Sequence, residues 1–271
     1  MFVKMRKATI LGAIAGDIIG SVYEFHSTRR YDFELFNELM RPTDDTVMTL
    51  AVAEWILTDP ELSPSRLTRT MREWGRKYPR AGYGGNFRTW LNDENAGPYY
   101  SWGNGSAMRV SPVGFAFDTL DETLRVARIS AEVTHNHPEG IKGAQATASA
   151  IYLARTGKTK EEIKKYITDT FGYDLDRKCA YIRLHYRFHV SCQESVPQSI
   201  CAFLDSTDYE SALRETISLG GDADTMGAIT GGIACAFYNG MPDNIYDFAI
   251  SKLNDDMKAT VSDFENRYAT E

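Results

Sequence analysis

Apolar residues recur at three- and four-residue intervals along most of the chain, a spacing that predicts helices. One helix is expected from Thr46 to Leu57, stopping before the breaker pair Asp59-Pro60. A second starts at Ser63-Pro64, with proline at an early position, and runs to Lys77. Asp121 to Val133 and Ile141 to Ala154 read as helices rich in alanine and other small residues, suited to close packing. Thr159 to Thr170 places Ile163, Tyr166, Ile167 and Thr170 at helical spacing behind a cap. Helices resume near Val196, and Tyr209, Ala212, Leu213, Thr216 and Ile217 form an apolar stripe. A last helix is expected from about Pro242 to Arg267, with Ile245, Ala249, Leu253 and Met257 in i, i+4 register.

Two stretches break this period. From Tyr78 to Ser106, Pro79, Gly82, Gly84, Gly85, Gly97, Pro98, Gly103 and Gly105 are interleaved with aromatics, which predicts a loop region with backbone to spare for a ligand. Between Ile182 and Val190, apolar residues alternate with Arg183, His185, Arg187 and His189. That is a strand period, but no second strand is visible to pair with it, so the expectation is an extended connection with a solvated charged face. No repeat or low-complexity tract appears, and the sum is an all-α fold in one domain, residues 1–271.

Composition narrows the function classes. The chain has 271 residues, 43% hydrophobic and 25% charged, enough for one sizeable core. A net charge of -7 argues against a general nucleic-acid binder, which would carry a basic stripe. Any polyanionic ligand must therefore be met by local donors. Cys179, Cys192, Cys201 and Cys235 show no Cys-x-x-Cys spacing, which predicts reduced thiols in a cytoplasmic protein and no zinc site. The apolar run from Met226 to Tyr238 is too short for a bilayer, which needs about 20 residues. No membrane partner is expected.

The candidate chemistry lies in two acidic clusters far apart in the chain. Arg41-Pro-Thr-Asp-Asp-Thr-Val-Met-Thr-Leu50 carries Thr43, Asp44, Asp45 and Thr46, and Gly220-Gly-Asp-Ala-Asp-Thr-Met-Gly-Ala-Ile229 carries Asp222, Asp224 and Thr225. Taken singly, each reads as a helix N-cap. Should their helices converge, four carboxylates would meet, and such mutual repulsion is tolerable only with cations between them. Oxygen donors without His or Cys favour hard ions such as Mg²⁺ or Mn²⁺. Gly227, Gly231 and Gly232 behind the second cluster would allow the close helix approach that gathering them requires.

Together the Thr-Asp-Asp-Thr and Gly-Gly-Asp-x-Asp-Thr motifs resemble those of the ADP-ribosylglycohydrolase family. Leu11-Gly-Ala-Ile-Ala-Gly-Asp-Ile-Ile-Gly-Ser-Val-Tyr-Glu-Phe25, Tyr83-Gly-Gly-Asn-Phe87, Ser101-Trp-Gly-Asn-Gly-Ser-Ala-Met-Arg109, Thr134-His135 and Gln193-Glu-Ser-Val-Pro197 also look like family landmarks, in order, from about residue 9 to 240. Lys4, Arg6 and Lys7 ahead of an apolar run imitate a signal peptide, but Asp17 follows almost at once, and the resemblance makes this run the first helix.

The resemblance implies an orthogonal helical bundle around a binuclear centre of two Mg²⁺ or Mn²⁺ ions, with Thr43, Asp44, Asp45, Asp222, Asp224 and Thr225 as ligands. It implies hydrolysis of the glycosidic bond between ADP-ribose and a modified target, arginine or serine on a protein, with ADP-ribose as product. Glu24 would act near the scissile bond as acid or gate, and Asp44 and Asp222 are both candidates to deprotonate the water. Trp102 would stack on adenine. Gly103, Asn104, Gly105 and Ser106 would hold the diphosphate on exposed amides, and His135 would lie close to the ligand. Competing readings are a non-catalytic ADP-ribose-binding or crystallin-like member, a metal-dependent phosphohydrolase, and a hydrolase of nucleic-acid or small-molecule ADP-ribosyl conjugates.

Overall fold

The organising contact is between two helices from opposite ends of the chain, α1 (Leu11–Gly20) and α13 (Ala223–Phe237). Gly12, Gly16 and Gly20 form a ridge on α1 that meets Ala223, Gly227 and Gly231 on α13. A methyl carbon built on Gly16 would stand 2.0 Å from the Gly227 carbonyl oxygen, and one on Gly227 would stand 2.4 Å from that of Gly16. Only a glycine pair lets the two backbones touch. The rest of α13 is apolar or small and buried nearly to its end, as a helix surrounded by protein must be.

The structure is a computed structural model describing residues 4–269. Fifteen α-helices and two two-residue strands make up its regular elements, an all-α fold. α8 (Pro138–Arg155), α11 (Cys192–Asp205) and α12 (Tyr209–Ile217) pack around α13, and α12 is tied to α1 where the Tyr209 hydroxyl donates to the Gly12 carbonyl at 2.7 Å. On the other side, α2 (Asp44–Thr58) lies beside α1, with α3 (Pro64–Lys77) and α15 (Asp255–Tyr268) outside it. The start of α1 has no side-chain cap of its own. Glu265 on α15 serves instead, its Oε1 accepting from the amide of Thr9 at 2.8 Å. β1 (Met5–Arg6) and β2 (Met241–Pro242) pair antiparallel and fasten the N-terminal segment beyond the end of α13.

Three expectations are corrected. The stretch from Tyr78 to Ser106 is not all loop, because α4 (Gly85–Asn92) forms within it and buries Phe87, Trp90 and Leu91 at helical spacing. Glycines at its start concealed that stripe. The alternating stretch splits: α10 (Cys179–His185) buries Cys179 and Ile182 three residues apart, and only the remainder, from Tyr186, is extended. With no strand to pair with, the first half obeys i, i+3 burial instead. The expected last helix is two, α14 (Asp243–Lys252) and α15, interrupted where Asn254 turns to cap α15 by accepting from the Met257 amide at 3.1 Å. Smaller elements are α5 (Gly105–Met108), α6 (Ser111–Ala116), α7 (Leu120–Glu132) and α9 (Lys160–Phe171). Among the described residues, no helix is long and apolar enough to cross a membrane, and all four cysteines are buried and free.

Candidate active site

The two acidic clusters meet. Asp45, at the start of α2, and Asp224, at the start of α13, place carboxylate oxygens within 4.8 Å of one another, together with one from Asp17 on α1. Glu24, Asp222 and Asp224 form a second such group. Glu24, Asp45, Asp222 and Asp224 line a cavity of about 440 Å³, within the range of small-ligand sites, and Asp17 is buried behind them outside its lining. Asp44, Gly82, Asn86 and Phe87 line it from one flank, and Tyr99, Gly103, Asn104, Gly105 and His135 from another.

Asp17 was not among the residues singled out by motif. It is fully buried, and its carboxylate accepts from the Thr43 amide at 2.9 Å, the Thr43 hydroxyl at 2.6 Å, the Thr46 amide at 3.0 Å and the Thr46 hydroxyl. It therefore caps α2 from a neighbouring helix while facing Asp45 and Asp224. A signal existed in the sequence: a carboxylate in the middle of an apolar helix must find compensation.

The N-cap reading holds for one cluster only. Thr43 caps α2, its hydroxyl accepting from the Asp45 amide at 3.3 Å. Asp222 sits at the N-cap position of α13 but makes no cap bond. Its Oδ2 instead accepts from Asn104 Nδ2 at 2.8 Å, and Asn104 also reaches the Ser195 hydroxyl at 3.1 Å. Asn104 thus ties the glycine loop to the acids. That loop is held on its far side, with the Asn104 amide donating to the Val190 carbonyl at 2.8 Å and the Cys192 amide to that of Trp102 at 2.9 Å.

Electrostatics mark the cluster as incomplete without positive charge. Burial, then the charge of Asp17, pushes the Asp44 carboxyl up to about 7. Burial, then Asp222, pushes Glu24 up to about 7 as well. Asp45 and Asp224 are raised well above the usual carboxylate range by burial and by their neighbours' charges. Asp45 Oδ1 is buried with no hydrogen-bond partner. A naked carboxylate oxygen in an oxygen-only donor set fits a hard divalent cation.

Other expected residues are placed as follows. Thr225 lines the cavity beside Asp224. Ser106 is buried beneath the loop, its hydroxyl donating to the Gly140 carbonyl at 2.7 Å. His135 is buried in the cavity wall, its imidazole held well below its usual range by burial and by the Arg109 charge. Trp102 stands outside the cavity lining, 53% exposed, its ring edge-on to His137.

Comparisons with known proteins agree with one another. The family model described as ADP-ribosylglycohydrolase matches residues 6–267. The chain is 26% identical to the mouse (Mus musculus) protein ADP-ribosylhydrolase ARH3, over 86% of this chain and 83% of that one. It is 24% identical to ADP-ribosylarginine hydrolase Tri1 of Pseudomonas putida, over 87% of this chain and 71% of that one. Among solved structures, one titled "ADP-ribosylglycohydrolase-related protein complex" superposes with a TM-score of 0.67 at 24% identity, covering 96% of both chains.

Proposed function

The chain belongs to the ADP-ribosylglycohydrolase family and is an enzyme of that kind, and from that premise we propose that it hydrolyses the bond between ADP-ribose and a modified protein side chain in a reaction that requires divalent cations. Arginine is the target we put first, following the activity named for the Pseudomonas relative, and serine the second. The observation that carries the cation requirement is the convergence of acids from α1, α2 and α13 around the unpartnered Asp45 oxygen.

Asp45, Asp222 and Asp224 would hold two Mg²⁺ or Mn²⁺ ions, with Thr43, Asp44 and Thr225 completing the set that the family resemblance implies and Asp17 added by geometry. Such cations supply charge that orients the ribose hydroxyls and acidifies a water. The water's oxygen bonds to the anomeric carbon as the bond from that carbon to the side chain breaks, through an oxocarbenium-like state. Asp44 is the base we favour, because it lines the cavity while one oxygen of Asp222 is committed to Asn104. Glu24, half-buried in the cavity lining, would donate the proton that the leaving nitrogen or oxygen takes up. The expectation of a turn of free amides is corrected, because the Gly103 amide donates to the Ser101 hydroxyl at 3.1 Å and the Asn104 amide to Val190, while Ser106 and Trp102 lie outside the cavity lining; Gly105 and His135, which line the cavity, are the groups we assign to the diphosphate. Four buried free cysteines fit the cytoplasmic setting we assign it.

The test is incubation with arginine-, serine- and DNA-linked ADP-ribose, with and without Mg²⁺, comparing wild type with Asp44→Ala. Free ADP-ribose formed only by the metal-loaded wild type is the expected result. Hydrolysis indifferent to both chelation and substitution would refute the mechanism, and released phosphate would favour a phosphohydrolase.

A further inference from the structure

Arg109 has no part in the chemistry above, yet it is a fully buried cation in the cavity wall. Its Nη2 donates to the Ser130 carbonyl at 2.7 Å and to the Thr134 hydroxyl at 2.8 Å. Its Nε and Nη1 have no partner among the described residues. Thr134 is buried too, and its Oγ1 lies 2.7 Å from Nδ1 of His135.

A hydroxyl offers one donor and two acceptor sites. The Thr134 oxygen already accepts from the guanidinium, and among the described residues its hydrogen has no acceptor other than Nδ1. Directing that hydrogen to Nδ1 satisfies both groups. The reverse assignment, with Nδ1–H donating to Oγ1, strands a buried hydroxyl proton, which native interiors avoid. Nδ1 is then the acceptor, and a neutral ring must carry its proton on Nε2. That nitrogen faces the glycine turn: a methyl carbon on Gly105 would lie 3.0 Å from it, and one on Gly103 3.4 Å. Side chains at those positions would fill the space in front of the donor.

We propose that Arg109 and Thr134 are positioning residues that fix His135 as a neutral imidazole protonated on Nε2, presenting a hydrogen-bond donor to a phosphate oxygen of the ligand on the glycine turn. The ligand half rests on the cavity being an ADP-ribose site; the tautomer does not. Burial and the uncompensated guanidinium both oppose a second proton on the ring, in agreement with its depressed basicity. Tyr99 lies edge-on to His135 with centroids 5.7 Å apart; it and the Cys192 thiol are the titratable groups that act on Arg109, and burial keeps both protonated.

Histidine-selective ¹⁵N NMR of the whole protein reads the tautomer directly, with His135 assigned by the signal lost in His135→Gln. The wild-type spectrum should show an unprotonated Nδ1 and a protonated Nε2. Thr134→Val should mix the two tautomers and weaken ADP-ribose binding about tenfold, the worth of one hydrogen bond to a charged group. Thr134→Ser should restore both. A protonated Nδ1 in the wild type, or a Thr134→Val spectrum identical to it, overturns the proposal, and the wild-type spectrum still decides should the valine variant fail to fold. ADP-ribose affinity of the wild type is measured alongside, so that a wrong assignment of the cavity appears there and a wrong tautomer appears in the spectrum.

Discussion

Asp17 meets two demands with one carboxylate. It gives the amides of Thr43 and Thr46 an acceptor that α2 would otherwise lack, and it adds negative charge to a place where Asp45 and Asp224 already repel. The two roles predict opposite responses to neutral isosteres within the same cluster. Asp17→Asn removes acceptor capacity from buried donors and should destabilise the protein by about 1–3 kcal/mol with or without metal, read by denaturant unfolding. Asp45→Asn replaces a buried carboxyl that has an unpartnered oxygen and whose ionisation burial and its neighbours' charges oppose, so the metal-free protein should become more stable at pH 8, where the unfolded chain carries that charge freely. The same variant should lose most of its Mg²⁺-dependent stabilisation and its hydrolysis. An Asp45→Asn protein less stable than wild type in chelator would mean that its carboxylate serves packing rather than cation binding. Glu24→Gln should keep the metal-dependent stabilisation and lower kcat by about 10²–10⁴, the usual worth of a general acid. The motif spacing exposed Asp45 and Asp224 because each stands within a dense polar signature, whereas Glu24, between Tyr23 and Phe25, was legible only through the family resemblance. Asp17 is a single charge in an apolar helix, and nothing within its own segment says which distant amides it faces.

Helices bring these residues together through backbone contact rather than side-chain packing. Where α1 crosses α13, the carbonyl of Gly16 and the Gly227 backbone occupy the space a methyl would need. Gly16→Ala should therefore force the helices apart, costing about 1–3 kcal/mol or more, and should weaken Mg²⁺ binding, because Asp17 is carried on the next residue while Asp224 lies one turn from Gly227. Calorimetry of metal binding separates this from simple destabilisation: an unfolding loss with unchanged metal affinity would show that the helix spacing does not set the site. The glycines on α13 were legible as a close-approach surface, and most helix limits were legible from their apolar stripes. What could not be read from local pattern was decided by contacts elsewhere. α4 forms because Phe87, Trp90 and Leu91 find a core to enter, and α10 coils because Cys179 and Ile182 are buried on one side and, among the described residues, neither short strand pairs with it.

At the scale of the molecule, the acids of α1, α2 and α13 are a stability problem that the proposed cation binding would resolve. The sign follows from proton counts. Below about pH 4, carboxyls are protonated in both folded and unfolded chains and contribute nothing to the difference. Between there and about 7, the unfolded chain ionises while Asp44 and Glu24 in the metal-free folded state keep their protons, so the folded state binds more protons and stability falls as pH rises. Above about 7 the penalty from Asp44 and Glu24 is fully present; for the partly buried Asp44 alone it is of the order of a few kcal/mol. Bound cations reverse the preference, since they favour the ionised form. Mg²⁺ should accordingly raise Tm little at pH 5 and strongly at pH 8, while in chelator Tm should decline across that interval. A Tm increment equal at both pH values would place the cation away from these carboxylates. The same linkage would account for a chain of net charge -7 gathering part of its negative charge at its centre. The penalty for assembling the acids is held by the fold, through the α1–α13 glycine contact and the Asp17 cap, and the cation binding proposed here would release it. Affinity for metal and strain in its absence are then two measurements of one quantity, and substitutions that relieve the strain should cost the binding.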